Sequence, residues 1–186
     1  MKNIRNIFLY LLLHLGLWSC QDDPEPALPE ATQTGENTFG CLVDGSTWLP
    51  SANQDDIPSF TFSFQQQTLN IEAARQAGNQ SSAISIKADS IQAEGIYLLE
   101  GSDRDFGTDA ATFSKSLPNT NCAYETSAIN IGRLEITKLD VTNGIIAGRF
   151  EFTLSAYLCV TDEDGCERYC GEVAVTEGRF DITYKP

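Results

Sequence analysis

From Phe39 onward, apolar and polar side chains alternate with a period of two. Phe60, Phe62 and Phe64 share one face of a segment whose other face is Ser59, Thr61 and Ser63. Leu69, Ile71 and Ala73 repeat the pattern after a short glutamine-rich stretch, which predicts two strands joined as a hairpin. Ile84, Ile86 and Ala88 alternate again, and Ile96 to Leu99 forms a short apolar run. Residues 101–121 are polar and rich in turn formers and are predicted to be a long loop. Beyond residue 19 no stretch keeps a long 3.6-residue apolar period. The expectation is a single all-β domain over residues 39–186, mainly antiparallel. The Phe60/Phe62/Phe64 face and a second face at Phe150, Phe152 and Phe180 both need cover, so a sandwich or a partly closed barrel is expected.

One phrase occurs three times. Gly132-Arg133-Leu134-Glu135-Ile136-Thr137 returns as Gly148-Arg149-Phe150-Glu151-Phe152-Thr153 and as Gly178-Arg179-Phe180-Asp181-Ile182-Thr183. Each copy sets apolar residues on one face and Arg, an acid and Thr on the other, the pattern of a half-buried strand. A hairpin around Asp140–Gly144 that pairs Arg133 with Glu151 also pairs Glu135 with Arg149. A second hairpin that pairs Glu151 with Arg179 also pairs Arg149 with Asp181. Each opposite-charge contact contributes roughly 0.2–1 kcal/mol. A two-residue slip would set Arg against Arg, and a one-residue slip would turn each Phe to solvent. These pairings predict a C-terminal three-strand meander carrying an ion-pair ladder. In the last strand Val173 and Val175 are odd whereas Phe180 and Ile182 are even, which predicts one extra residue near Thr176–Gly178, with Gly178 as the soft point of the bulge. That bulge would bring Cys159 opposite Cys170 and favour a disulfide between them. Cys41–Cys122 is the next expected pair, leaving Cys166 unpaired.

The N-terminus has a different pattern. Lys2 and Arg5 precede an almost wholly apolar run from Ile7 to Leu17, closed by Leu17-Trp18-Ser19-Cys20. Residues 1–19 thus read as a removable secretory signal, too short and wrongly flanked for a stable membrane-spanning helix. The ending resembles the lipobox of bacterial lipoproteins, which implies lipid on Cys20 and attachment to the bacterial outer membrane through it. Residues 20–38 read as the lipidated cysteine followed by a disordered linker rich in acids and proline, reaching roughly 50 Å if fully polyproline-like. The acids from Asp22 resemble the export signal that carries some Bacteroidetes lipoproteins to the cell surface.

Charge and composition remove several functions. The chain of 186 residues carries a formal charge of −14. The signal takes Lys2 and Arg5 with it and no acid, so the remainder stands at −16. Such a surface repels nucleic acid and anionic headgroups. Membrane attachment must then come from acyl chains, and more than one is needed for stable anchoring. The only histidine, His14, lies in the signal, which excludes Ser-His-Asp and Cys-His catalysis and His-containing zinc sites. Five cysteines remain beside Cys20, an odd number, and outside the cytoplasm disulfides are the default. A zinc site at Cys159, Cys166 and Cys170 is the rival, without a CxxC pair to support it.

Other candidate chemistry is sparse. Glu135, Glu151 and Asp181 share one sheet face and could serve a glycosidase. The competing expectation is that they pair with Arg133, Arg149 and Arg179. Asp162-Glu163-Asp164-Gly165 lacks the spacing and the distal Glu of a calcium loop and reads as an acidic turn. Trp48, beside Pro50, reads as a buried aromatic rather than a sugar platform. No P-loop, GxGxxG or GxSxG occurs. Asp89-Ser90-Ile91 resembles the O-glycosylation site of Bacteroidetes exported proteins. No catalytic residue, metal ligand or cofactor is assigned.

Asn37-Thr38-Phe39-Gly40-Cys41-Leu42-Val43-Asp44-Gly45, Ile136-Thr137-Lys138-Leu139-Asp140, Ile145 to Phe152 and Thr176-Glu177-Gly178-Arg179-Phe180-Asp181 together resemble a family of Bacteroidetes lipoproteins of unknown function. The resemblance spans nearly all of residues 37–184 and implies a lipoprotein with a β-rich domain, with no activity to carry over. The expected role is a lipid-anchored envelope or surface module that binds a glycan or a protein without catalysis. The alternatives are a carboxylate-dependent glycan hydrolase or lyase, and a purely structural envelope protein.

Overall fold

A computed structural model describes residues 26–51, 59–101, 109–161 and 170–185, and these contain no helix. Their strands are β1 (Thr38–Val43), β2 (Ser46–Trp48), β3 (Phe60–Gln65), β4 (Thr68–Ala77), β5 (Gln80–Ala88), β6 (Gly95–Leu99), β7 (Ala110–Leu117), β8 (Thr120–Glu125), β9 (Gly132–Asp140), β10 (Ile145–Thr161) and β11 (Val173–Thr183). Every pairing is antiparallel, and the order runs β2-β1-β11-β10-β8-β7-β5-β4-β3, with β9 also on β10 and β6 on β9. The sheet curls into a half-barrel. Its two ends meet across the core: Phe39 stacks within 5.1 Å of Phe150 and lies 5.4 Å from Phe60, and Ser51 N–H donates to the Ala74 carbonyl. Tight turns bend the sheet where the backbone permits. The β1–β2 hairpin turns on Asp44-Gly45, both at positive φ, the sequence that two-residue turn favours.

The C-terminal meander is present as β9-β10-β11, and β1 extends it. The first hairpin has the expected register, with Arg133 opposite Glu151 and Glu135 opposite Arg149. The second does not. Gly148 faces Phe180, Phe150 faces Gly178 and Arg149 faces Arg179, two residues from the charge-based pairing. Side-chain volume decides it. A Cβ at Gly178 would run into the Phe150 ring, and one at Gly148 would meet the Phe180 ring. Each phenylalanine thus covers a glycine of the facing strand and is buried there. Burying a Phe contributes about 1.5–3 kcal/mol, more than an exposed cross-strand ion pair. The expected bulge lies in β11, where Thr176 and Glu177 together oppose Glu151. The positive φ falls on Glu177, not on Gly178.

Two further expectations are corrected. The polar stretch 101–121 contains β7 and the start of β8. The expected linker is also not free along its length. Asp181, 1 % exposed, accepts hydrogen bonds from the Thr32 hydroxyl and from the backbone N–H groups of Thr34, Gly35 and Glu36, at 2.7–3.2 Å. Thr183 donates its hydroxyl to the Gly35 carbonyl and its N–H to Asn37 Oδ1. Gly35 sits at φ +80°, and a Cβ there would strike Thr183. Residues 32–37 therefore form a strap held on the outer face of β11. Residues 1–25, including Cys20, lie outside the described residues.

Candidate functional site

The inner face of β4, β5, β7 and β8 is built in layers set by register. Leu69 pairs with Ala88; Ile71, Ile86 and Ala111 form the next row; Ala73, Ile84, Phe113 and Tyr124 the next. All are buried. One step further the same face turns polar, as the row Arg75, Ser82, Lys115, Cys122. That row, at the mouth of the half-barrel, borders a recess of about 420 Å³, and Ala74, Gln76, Ala83, Ser114 and Asn121, which also line it, belong to the opposite face of the same strands. This volume is in the range of small-ligand sites.

Local bonds hold the row in place. The Trp48 indole N–H donates to Ser82 Oγ at 2.9 Å, and the ring is buried rather than an exposed platform. Arg75 Nη1 donates to the Thr47 carbonyl at 3.0 Å. Lys115 Nζ lies 5.5 Å from the centre of the Tyr124 ring, a cation–π contact. Among the described residues neither Arg75 nor Lys115 has an ion pair, and no Asp or Glu lines the recess.

A disulfide joins the end of the row to the chain before β11: Cys122–Cys170, with Cα atoms 5.6 Å apart. The expected Cys159–Cys170 and Cys41–Cys122 pairs are both replaced. Pairing of β10 with β11 ends at Leu154 and Val173, after which β10 pairs with β8 and Cys159 faces Cys122. Cys159 is disulfide-bonded, and Cys170 is not its partner. Cys41 is a free thiol in the core, where burial pushes its pKa up to about 12 and keeps it protonated. Cys166 and the Asp162–Gly165 acids lie outside the described residues.

On the outer face the charged ladder survives in part. Arg133 bridges Glu135 at 3.1 Å and Glu151 at 3.8 Å. Arg179 pairs with Glu177 at 3.3 Å instead of with Glu151, and Asp181 has left the ladder for the strap. Arg149 is exposed and has no ion pair among the described residues. The acids a glycosidase would need are thus spread between Arg133 and the strap. Ser90 of the Asp89-Ser90-Ile91 phrase is exposed at a positive-φ turn.

Arg75, Ser82 and Lys115 were not among the sequence candidates. Parity carried the signal, because each continues the inward series of its strand, Arg75 after Ala73, Ser82 before Ile84 and Lys115 after Phe113. The chain matches no protein-family model, no curated protein and no solved structure, so its function is read from this chemistry.

Proposed function

We propose that this is a lipid-anchored envelope protein of the bacterial outer membrane, held through Cys20, whose half-barrel is a non-catalytic binding module with its site at the Arg75–Ser82–Lys115 row and the recess it borders. One observation carries the reading. A buried inner face gives way to a row with two cations that no carboxylate of the described residues neutralises, in a chain whose remainder is strongly acidic. A cation held by the fold without a counter-ion is a ready contact for a ligand. The carboxylate-dependent enzyme has less support, because Glu135 and Glu151 pair with Arg133 and Asp181 holds the strap. A glycan array probed with the mature protein, followed by mass spectrometry of the captured glycans, tests the proposal. Retention of intact glycans is expected. Cleaved products would favour the enzyme, and no capture would favour a structural role.

A further inference from the structure

We propose that the outward edge of β6 receives an extended segment of another protein, one with apolar residues at alternate positions and a Lys or Arg at each end. This surface is separate from the mouth row and does not depend on it. β6 joins the sheet along β9. Its Ile96 and Leu98 are 59 % and 51 % exposed, opposite Glu135 and Arg133 of the outer face. Leu99, on the inward face of the strand, is buried. The strand is thus anchored from inside while it presents an apolar pair outward, which is the kind of surface a partner covers.

The edge of β6 away from β9 pairs with no strand among the described residues. The chain that leads into β6 is tied down by other bonds. Asp89 N–H donates to Asp109 Oδ1, and Ile91 N–H donates to the Gln67 carbonyl. The Gln92 and Ala93 N–H groups donate to the Tyr97 hydroxyl, so a side chain rather than a backbone ladder links this segment to the strand. An edge of this kind offers backbone donors and acceptors to an incoming strand.

Charge selects the occupant. Period two puts Glu94 and Glu100 in line with Ile96 and Leu98, so one face reads acid, apolar, apolar, acid. Both glutamates are exposed. An added antiparallel strand faces that series directly, and a base, two apolar residues and a base complement it. A second copy is a poorer occupant. Paired antiparallel about Tyr97, it would set Glu94 against Glu100 at both ends, between two strongly acidic chains. The same two acids that oppose self-pairing attract a basic-ended segment.

The test is fluorescence anisotropy on the full lipidated protein in neutral detergent micelles, with three labelled peptides. They are Lys-Thr-Val-Thr-Val-Thr-Lys, its acid-ended form Glu-Thr-Val-Thr-Val-Thr-Glu, and the scrambled Val-Lys-Thr-Thr-Thr-Lys-Val. The first should bind about ten-fold or more tightly than either control. It should also slow amide hydrogen exchange across Gly95–Leu99. Ile96→Thr combined with Leu98→Thr should weaken it about ten-fold or more. Both positions are exposed and Thr suits a strand, so the circular dichroism of that variant should remain that of the parent. Glu94→Gln combined with Glu100→Gln should erase the preference over the acid-ended peptide. Equal binding of the scrambled peptide would reduce the effect to bulk charge and overturn the proposal. Unchanged affinity in the threonine variant, protection confined to other strands, or no binding of the first peptide would each overturn it. A concentration-dependent dimer that the threonine variant abolishes would give the edge to a second copy and overturn the partner assigned here.

Discussion

Phe150 and Phe180 each lie over a glycine of the facing strand, and at the scale of single residues this packing sets the last hairpin. Gly178→Ala would force a methyl into the Phe150 ring, so urea denaturation should show a loss of about 1–3 kcal/mol. Asp181 is the second such residue. Burial pushes its carboxyl upward, but the hydrogen bonds from Thr32, Thr34, Gly35 and Glu36 outweigh it and hold the pKa below the ordinary value. The stabilisation is therefore complete above the unfolded-state value of about 3.9 and is lost as pH falls through the depressed folded value. Asp181→Asn should remove about 2–4 kcal/mol at neutral pH and flatten the acid limb of a stability–pH curve. An unchanged acid limb would show that the strap does not depend on this carboxylate. Tyr124 tells the opposite story, because its buried hydroxyl has no hydrogen-bond partner among the described residues. Tyr124→Phe should be neutral or stabilising by up to about 1 kcal/mol in the same assay.

At the scale of elements, the alternation at Phe60–Phe64, Leu69–Ala73 and Ile84–Ala88 was enough to place β3, β4 and β5, and charge together with the apolar face set the β9–β10 register. The second hairpin escaped that logic. Arg–acid pairs on an exposed face are weak, while the Phe-over-Gly fit is a property of two folded strands that period-two patterning does not display. β7 escaped for a related reason. Its inward residues are Ala111, Phe113 and Lys115, so the segment looks polar where it builds the recess. The disulfides depended on where β10 leaves β11 for β8, a long-range change of partner with no local mark in the sequence. The observed Cys122–Cys170 link closes a separation of 48 residues. Replacing both cysteines by Ala should lower stability by about 4 kcal/mol if chain entropy dominates. Non-reducing peptide mapping should recover the Cys122–Cys170 peptide, and a dominant Cys159–Cys170 peptide would contradict this topology.

At the scale of the whole molecule, an acidic half-barrel closes one end of its interior with apolar layers and ends the other in a cationic row. The strap runs along the outer face of β11, and the chain before it packs Pro29 beside Gly40 and Leu49. Attachment through Cys20 predicts that Cys20→Ser abolishes incorporation of radiolabelled palmitate, and label persisting in that variant would contradict the anchor. The claim on which the account turns is that ligand enters at the mouth row. It is tested most directly by ¹H–¹⁵N NMR of the mature protein titrated with a glycan retained on the array. The account predicts that the perturbed amides cluster at Arg75, Ser82, Lys115 and Cys122. Perturbations centred on Arg133, Arg149 and Arg179, with the mouth row unmoved, would contradict it.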